Sequence, residues 1–194
     1  MCIIDCLSTI VFILPLYLDD TKVIILILWR RTFQLEYWRT FQLVSTYIMY
    51  AVRVCGVPWS LSDTYYQLKK RNRPAWLFQA AMVVPAILLI PVWIDCSNES
   101  FQFLAFLACG GLMFVGTAPL FKEEFQSKVH YVGTVASGLA TILWVCFAGM
   151  WYLPTIAFPI AGLFILKYRK WLFWAELAAF ACAYVGVFII CINC

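Results

Sequence analysis

Hydrophobic and polar positions alternate on a scale of about twenty residues, not of two or four. Apolar runs cover residues 41–57, 75–93, 101–121 and 129–148, a fifth run that ends at Leu166, and 171–194. Short polar stretches separate them. Runs of this length are what an α-helix needs to cross a bilayer, and in lipid only a helix satisfies its own backbone within one segment. The pattern predicts an all-α, polytopic transmembrane bundle of six core spans. Pro85, Pro91 and Pro159 fall inside or near the ends of spans and are expected as kinks or end points.

Residues 1–40 fit this pattern less well. Residues 3–18 are apolar apart from Asp5 and a few hydroxyls. Asp19, Asp20 and Lys22 then intervene before a second apolar stretch, 23–29. No basic residues precede the first run, so a signal peptide is not expected. The chain divides into an accessory N-terminal apolar segment, 1–40, and a six-helix domain, 41–194. Small residues at Gly133, Ser137, Ala140 and Thr141 recur at spacings of three or four in the fourth span, and Gly110, Gly111 and Gly116 mark the third. Such faces let helices approach closely in lipid, within one chain or between copies of a homo-oligomer.

Composition agrees. The 194 residues are 64% hydrophobic and 12% charged, with a mean hydropathy of +0.87. Soluble domains run at roughly half apolar and a quarter charged. The polar stretch 58–74 is the longest, which leaves no room for a separate soluble domain. The formal charge of +4 belongs to loops facing anionic lipid, and no basic domain is present to bind nucleic acid. The nine cysteines lie mostly inside apolar runs and read as small hydrophobes, and with one histidine in the chain a zinc site at Cys191 and Cys194 is not expected. Asn98-Glu99-Ser100 is a formal glycosylation sequon in a loop too tight against the bilayer to be used.

Loop charge sets the orientation. Lys69, Lys70, Arg71 and Arg73 follow the first span, Lys122 and Lys128 the third, and Lys167, Arg169 and Lys170 the fifth. The opposite side has only Arg30, Arg31 and Arg39. The positive-inside rule makes the nine-cation side cytoplasmic, in a multi-pass protein of the cell membrane.

That topology gathers the chemistry. Asp63, in the loop after the first span, His130, opening the fourth, and Glu176, about two turns into the sixth, share one side. A carboxylate at the depth of Glu176 is costly unless it faces the bundle and is paired, and His130 and Arg53 are the available partners. Arg53 reads either as that partner or as an arginine snorkelling to headgroups. The arrangement serves as a structural tie between helices, as a binding site for a lipid headgroup, or as an acid–base pair. Catalysis is the least supported of the three. No serine sits in a nucleophile elbow, no Gly-rich phosphate loop is present, and a lone histidine cannot assemble a metal hydrolase. No catalytic residue, metal or cofactor is assigned.

Three ordered landmarks extend this picture: Ser62-Asp63-Thr64 followed by Leu77-Phe78-Gln79; Phe125-Gln126 with Val129-His130-Tyr131-Val132-Gly133; and Ala175-Glu176 in the last span. Over about residues 41–190 the pattern resembles the six-span superfamily of the damage-regulated autophagy modulators and the FGF-receptor-activating/GPI-remodelling proteins. It departs from that pattern at Tyr65, where the family has glycine after Ser-Asp-Thr, at Leu177, where it has tryptophan, and in a shorter first loop. The family's first loop faces the lumen or exterior, whereas the charge distribution here makes it cytoplasmic. The compact chain looks microbial. The resemblance implies membrane lipid handling or membrane-linked signalling. The expected function is a non-enzymatic membrane protein that binds or senses lipid through Ser62, Asp63, His130, Glu176 and Arg53. A small transporter or channel subunit and a membrane lipid hydrolase are the alternatives. Transport would ask for an internal repeat or broken helices, and no repeat is evident.

Overall fold

The computed structural model describes residues 20–120 and 123–193, with side chains described for 34–120 and 128–190. Among the described residues there are only helices: α1 (Asp20–Cys55), α2 (Asp63–Lys70), α3 (Trp76–Asp95), α4 (Gln102–Thr117), α5 (Glu123–Phe147), α6 (Tyr152–Tyr168) and α7 (Trp171–Asn193). Two 3-10 turns, Glu99–Phe101 and Ala118–Leu120, flank α4. Helices α3, α4 with its flanking turns, α5 and α7 are long and apolar enough to cross a bilayer. These four apolar helices suggest a membrane-embedded protein and are candidate spans by length and composition. The remaining two of the six expected spans fall short of the same measure. Helix α6 is apolar but has only 17 residues. The described part of α1 alternates apolar residues with Gln34, Glu36, Arg39, Gln42 and Ser45, which lowers its hydropathy below that of the others.

Helix α1 runs without a break through residue 40, so the boundary drawn there crosses a continuous helix. Tyr37, inside the segment taken as accessory, is buried, and its hydroxyl donates to the Tyr184 carbonyl of α7 at 2.8 Å. Residues 1–19 of that segment lie outside the described residues. Neither Pro85 and Pro91 in α3 nor Pro159 in α6 ends its helix. Helix α2 is an amphipathic piece inside the polar stretch 58–74, and its Leu68 is fully buried.

The small-residue face of α5 is used inside the chain. A Cβ on Gly111 would sit 2.8 Å from both the Gly133 carbonyl oxygen and the Ser137 amide nitrogen. The α4 and α5 backbones therefore touch, and Ser137 Oγ donates to the Ala108 carbonyl across the seam at 2.8 Å. Gly116 faces the side chains of Met82 and Val83 of α3, whereas a Cβ on Gly110 or Gly138 would have nothing within 4 Å. In lipid the approach of backbones provides the dispersion contacts that hold helices together.

At the end of the bundle away from the cationic loops, the core closes on two tryptophans. Trp144 is fully buried and meets Trp93 edge to face at 5.2 Å. Its Nε1 donates to Ser97 Oγ at 2.7 Å, and that hydroxyl donates to the Trp93 carbonyl at 2.5 Å. Ser97 thus satisfies a carbonyl in the last turn of α3, which has no amide of its own helix to accept from. Trp144→Phe removes the indole donor together with the five-membered ring that fills its fully buried site, so a cavity term adds to the lost hydrogen bond. The expected loss is at least about 1 kcal/mol, the net value of one buried hydrogen bond, with the cavity cost on top, read by unfolding in detergent micelles. Asn98, the sequon asparagine, accepts from the Ser100 amide at 3.0 Å and caps the 3-10 turn.

Candidate functional site

The site lies at the opposite end, where the chain leaving α1 folds onto the start of α7. Gly56 turns the backbone out of α1 at φ 75°, a region in which glycine carries no steric penalty. The α1 terminus is closed by Arg71, whose Nη1 donates to the Val54 carbonyl. A cation at a helix C-terminus also complements its dipole.

Residues 59–63 then form a tight polar turn. Ser60 Oγ accepts from the Asp63 amide at 3.1 Å and lies 2.8 Å from Ser62 Oγ. Asp63 Oδ2 accepts from Gln67 Nε2 at 2.6 Å and from the Trp59 amide at 3.3 Å. Thr64, fully buried, donates to the Leu61 carbonyl and shares a hydrogen bond with the Tyr47 hydroxyl of α1. Ser62 and Asp63 therefore shape the turn: Ser60 Oγ takes the first amide of α2, the Leu61 and Ser62 carbonyls take the next two, and the Asp63 carboxylate ties the Trp59 amide to the Gln67 side chain.

The turn docks on α7 through two reciprocal bonds. The Phe173 amide, one of the first four of α7 and so without a partner in its own helix, donates to the Trp59 carbonyl at 2.9 Å. The Leu61 amide donates to Glu176 Oε2 at 2.7 Å. Leu61, Leu68, Phe78 and Phe173 pack together beneath, and Lys170 Nζ stands 4.1 Å over the Trp59 ring. Glu176 thus finds its partner in backbone of the first loop, in place of the expected His130 or Arg53.

His130 goes elsewhere. Its ring lies against the Val115 backbone of α4, because the Gly111–Gly133 contact draws this part of α5 onto α4. Arg53 is exposed in the last turn of α1, the placement of a snorkelling side chain. Among the described residues no hydrogen bond or ion pair joins His130 or Arg53 to Asp63 or Glu176. The structure brings together Ser62, Asp63 and Glu176, and leaves His130 and Arg53 at its margin. Trp59, Ser60 and Leu61 complete the site and are not singled out by sequence reading. Trp59 and Leu61 contribute through backbone, whereas Ser60 acts through its hydroxyl; the side-chain signals are that serine and a tryptophan placed just after Pro58.

The chemistry available is that of acceptors. Each carboxylate uses one oxygen, and no further partner of Glu176 Oε1 or Asp63 Oδ1 exists among the described residues. No three His, Cys, Asp or Glu residues among them stand close enough to share a metal ion. Cys55, Cys96, Cys109, Cys146 and Cys182 are free thiols. Comparison with known proteins gives no matching family model, no matching curated protein and no matching solved structure.

Proposed function

We propose that the protein is a non-enzymatic, six-span protein of the cell membrane that binds or senses lipid at the cytoplasmic end of its bundle, where the 59–63 turn meets Glu176. This reading places it with the autophagy-modulator and GPI-remodelling type of membrane protein that its motifs resemble. The observation that carries it is the carboxylate of Glu176. In an otherwise apolar helix it accepts one backbone amide at 2.7 Å and keeps a second oxygen for a ligand, against the turn that also carries Asp63. A headgroup ammonium is the complementary donor, since charge-assisted bonds to carboxylate are the strong ones. The helices that pass unbroken through Pro85, Pro91 and Pro159 favour binding over transport, which uses discontinuous helices.

The test is thermal unfolding of the detergent-purified protein with and without added phosphatidylethanolamine. A ligand that binds only the folded state raises the midpoint. The wild type is expected to gain several degrees, and the Glu176→Gln/Asp63→Asn double variant to gain none while keeping its helical content. Equal gains in both proteins refute the site.

A further inference from the structure

A second feature stands apart from the polar turn. Helices α6 and α7 enclose an apolar groove of about 330 Å³, with Ala157, Ala161 and Phe164 on one wall and Trp174, Ala178 and Ala181 on the other. It runs three turns along α6, from Leu153 to Phe164, about 16 Å at the rise of an α-helix. Its outer side opens where lipid tails lie. Helix α6 packs chiefly on α7 and is otherwise bare: Leu163 is 69% and Leu166 80% exposed.

The two ends of the groove differ in charge. Near Leu153 the chain turns through Gly149, Met150, Trp151 and Tyr152, with no ionisable cation. Beyond Phe164 and Trp174, whose rings stack at 4.5 Å, come Lys167, Arg169 and Lys170. Lys167 and Lys170 lie over the rings of Tyr168 and Trp59. The exposed Arg169 guanidinium has no partner among the described residues. A further donor sits on the wall itself: Trp174 Nε1 is buried and makes no hydrogen bond among the described residues, a costly state for an N–H.

We infer that this groove is a binding site for an anionic phospholipid. One acyl chain lies between α6 and α7, and the phosphate lies against the turn that carries Lys167, Arg169 and Lys170. The apolar walls match a methylene chain in length and chemistry. The cations match a phosphate at one end only, so the lipid is oriented with its head at the cytoplasmic side, where anionic lipid is concentrated. The site goes beyond the polar turn, shares with it the Lys170 that stands over Trp59, and takes its cytoplasmic orientation from the reading proposed above.

The experiment uses the full chain, reconstituted in vesicles of equal phosphatidylglycerol and phosphatidylcholine and then extracted in detergent. Phospholipid retained per chain is counted by mass spectrometry. The wild type is expected to retain one phosphatidylglycerol in preference to phosphatidylcholine. Ala181→Phe fills the groove from its open side and lowers retention of both lipids about tenfold, comparable to one core-sized packing penalty. Ala181→Leu does the same to a lesser degree should the larger ring disturb folding. Lys167→Gln/Arg169→Gln lowers phosphatidylglycerol retention at least about tenfold, as two cations near a lipid surface imply, and leaves weak phosphatidylcholine retention. Wild-type retention in both Ala181 variants overturns the site, as does equal wild-type retention of the two lipids. A dimer counted by photobleaching in the wild type and dissolved by Ala181→Phe also overturns it, by assigning the groove to a second copy of the chain.

Discussion

Alanine at Gly111 or Gly133 lowers the stability of the bundle by about 1–3 kcal/mol, the usual cost of overpacking a close contact, and leucine at either position prevents α4 from docking on α5. The reason is geometric. The added Cβ at Gly111 meets the Gly133 carbonyl and the Ser137 backbone at 2.8 Å, and at Gly133 it meets the Gly111 carbonyl at 2.9 Å. Backbone cannot step aside as a flexible side chain can, so the helices must separate. Separation also breaks the Ser137 to Ala108 bond and loosens the contact that holds His130 against Val115. Gly110 and Gly138 provide the contrast. Nothing lies within 4 Å of either Cβ position, so alanine there is expected to be neutral or to stabilise by up to about 1 kcal/mol through helix propensity. Unfolding of the four single variants in one detergent checks all of this. Equal effects at Gly111 and Gly110 would show that the α4 and α5 backbones do not touch at this seam.

The second large effect is expected at Glu176. Glu176→Ala leaves the Leu61 amide buried without an acceptor, which costs about 1–3 kcal/mol, and the 59–63 turn loses its hold on α7. The loss extends to the Phe173 to Trp59 bond, since the two bonds form one clasp and are coupled. Hydrogen exchange reads this directly. The amides of Leu61 and Phe173 are expected to lose protection together in Glu176→Ala, while those of the α4–α5 seam keep theirs. Glu176→Gln retains a carbonyl acceptor at the same reach and is expected to protect both amides nearly as well as the wild type. The pair of variants therefore separates the structural duty of Glu176 from its charge. Unaltered protection in Glu176→Ala would show that the clasp rests on the packing of Leu61 and Phe173 alone.

The lengths and apolar character of α3, α4, α5 and α7 are legible along the chain, because a bilayer imposes one length and one composition on every helix that crosses it. The small residues of the fourth span also declare a close-packed face. Choosing its partner requires three dimensions. Gly110 and Gly111 are adjacent in sequence, and only Gly111 touches α5, because successive residues on a helix point about 100° apart. Similarly, an isolated carboxylate in an apolar span announces that Glu176 needs a partner, and the alternation of loops puts it on the side of Asp63. Its actual partner is a main-chain amide, a group that every residue except proline carries and that no side-chain pattern can flag. The continuity of α1 past residue 40 is hidden for a related reason. Its polar residues interrupt the apolar run, while Tyr37 is drawn inward by the Tyr184 carbonyl of a helix 147 positions away.

What the sequence determines by itself is the solvent, the helical class and the end of the bundle on which the ionisable groups gather, since these follow from hydropathy and charge summed along the chain. Only the tertiary structure decides which helix faces touch, which backbone groups meet Glu176, and that α6 and α7 pack so as to leave an apolar groove between them. These depend on the direction of individual Cβ bonds and on the closure of a loop of a few residues. Neither quantity survives averaging over a segment of twenty.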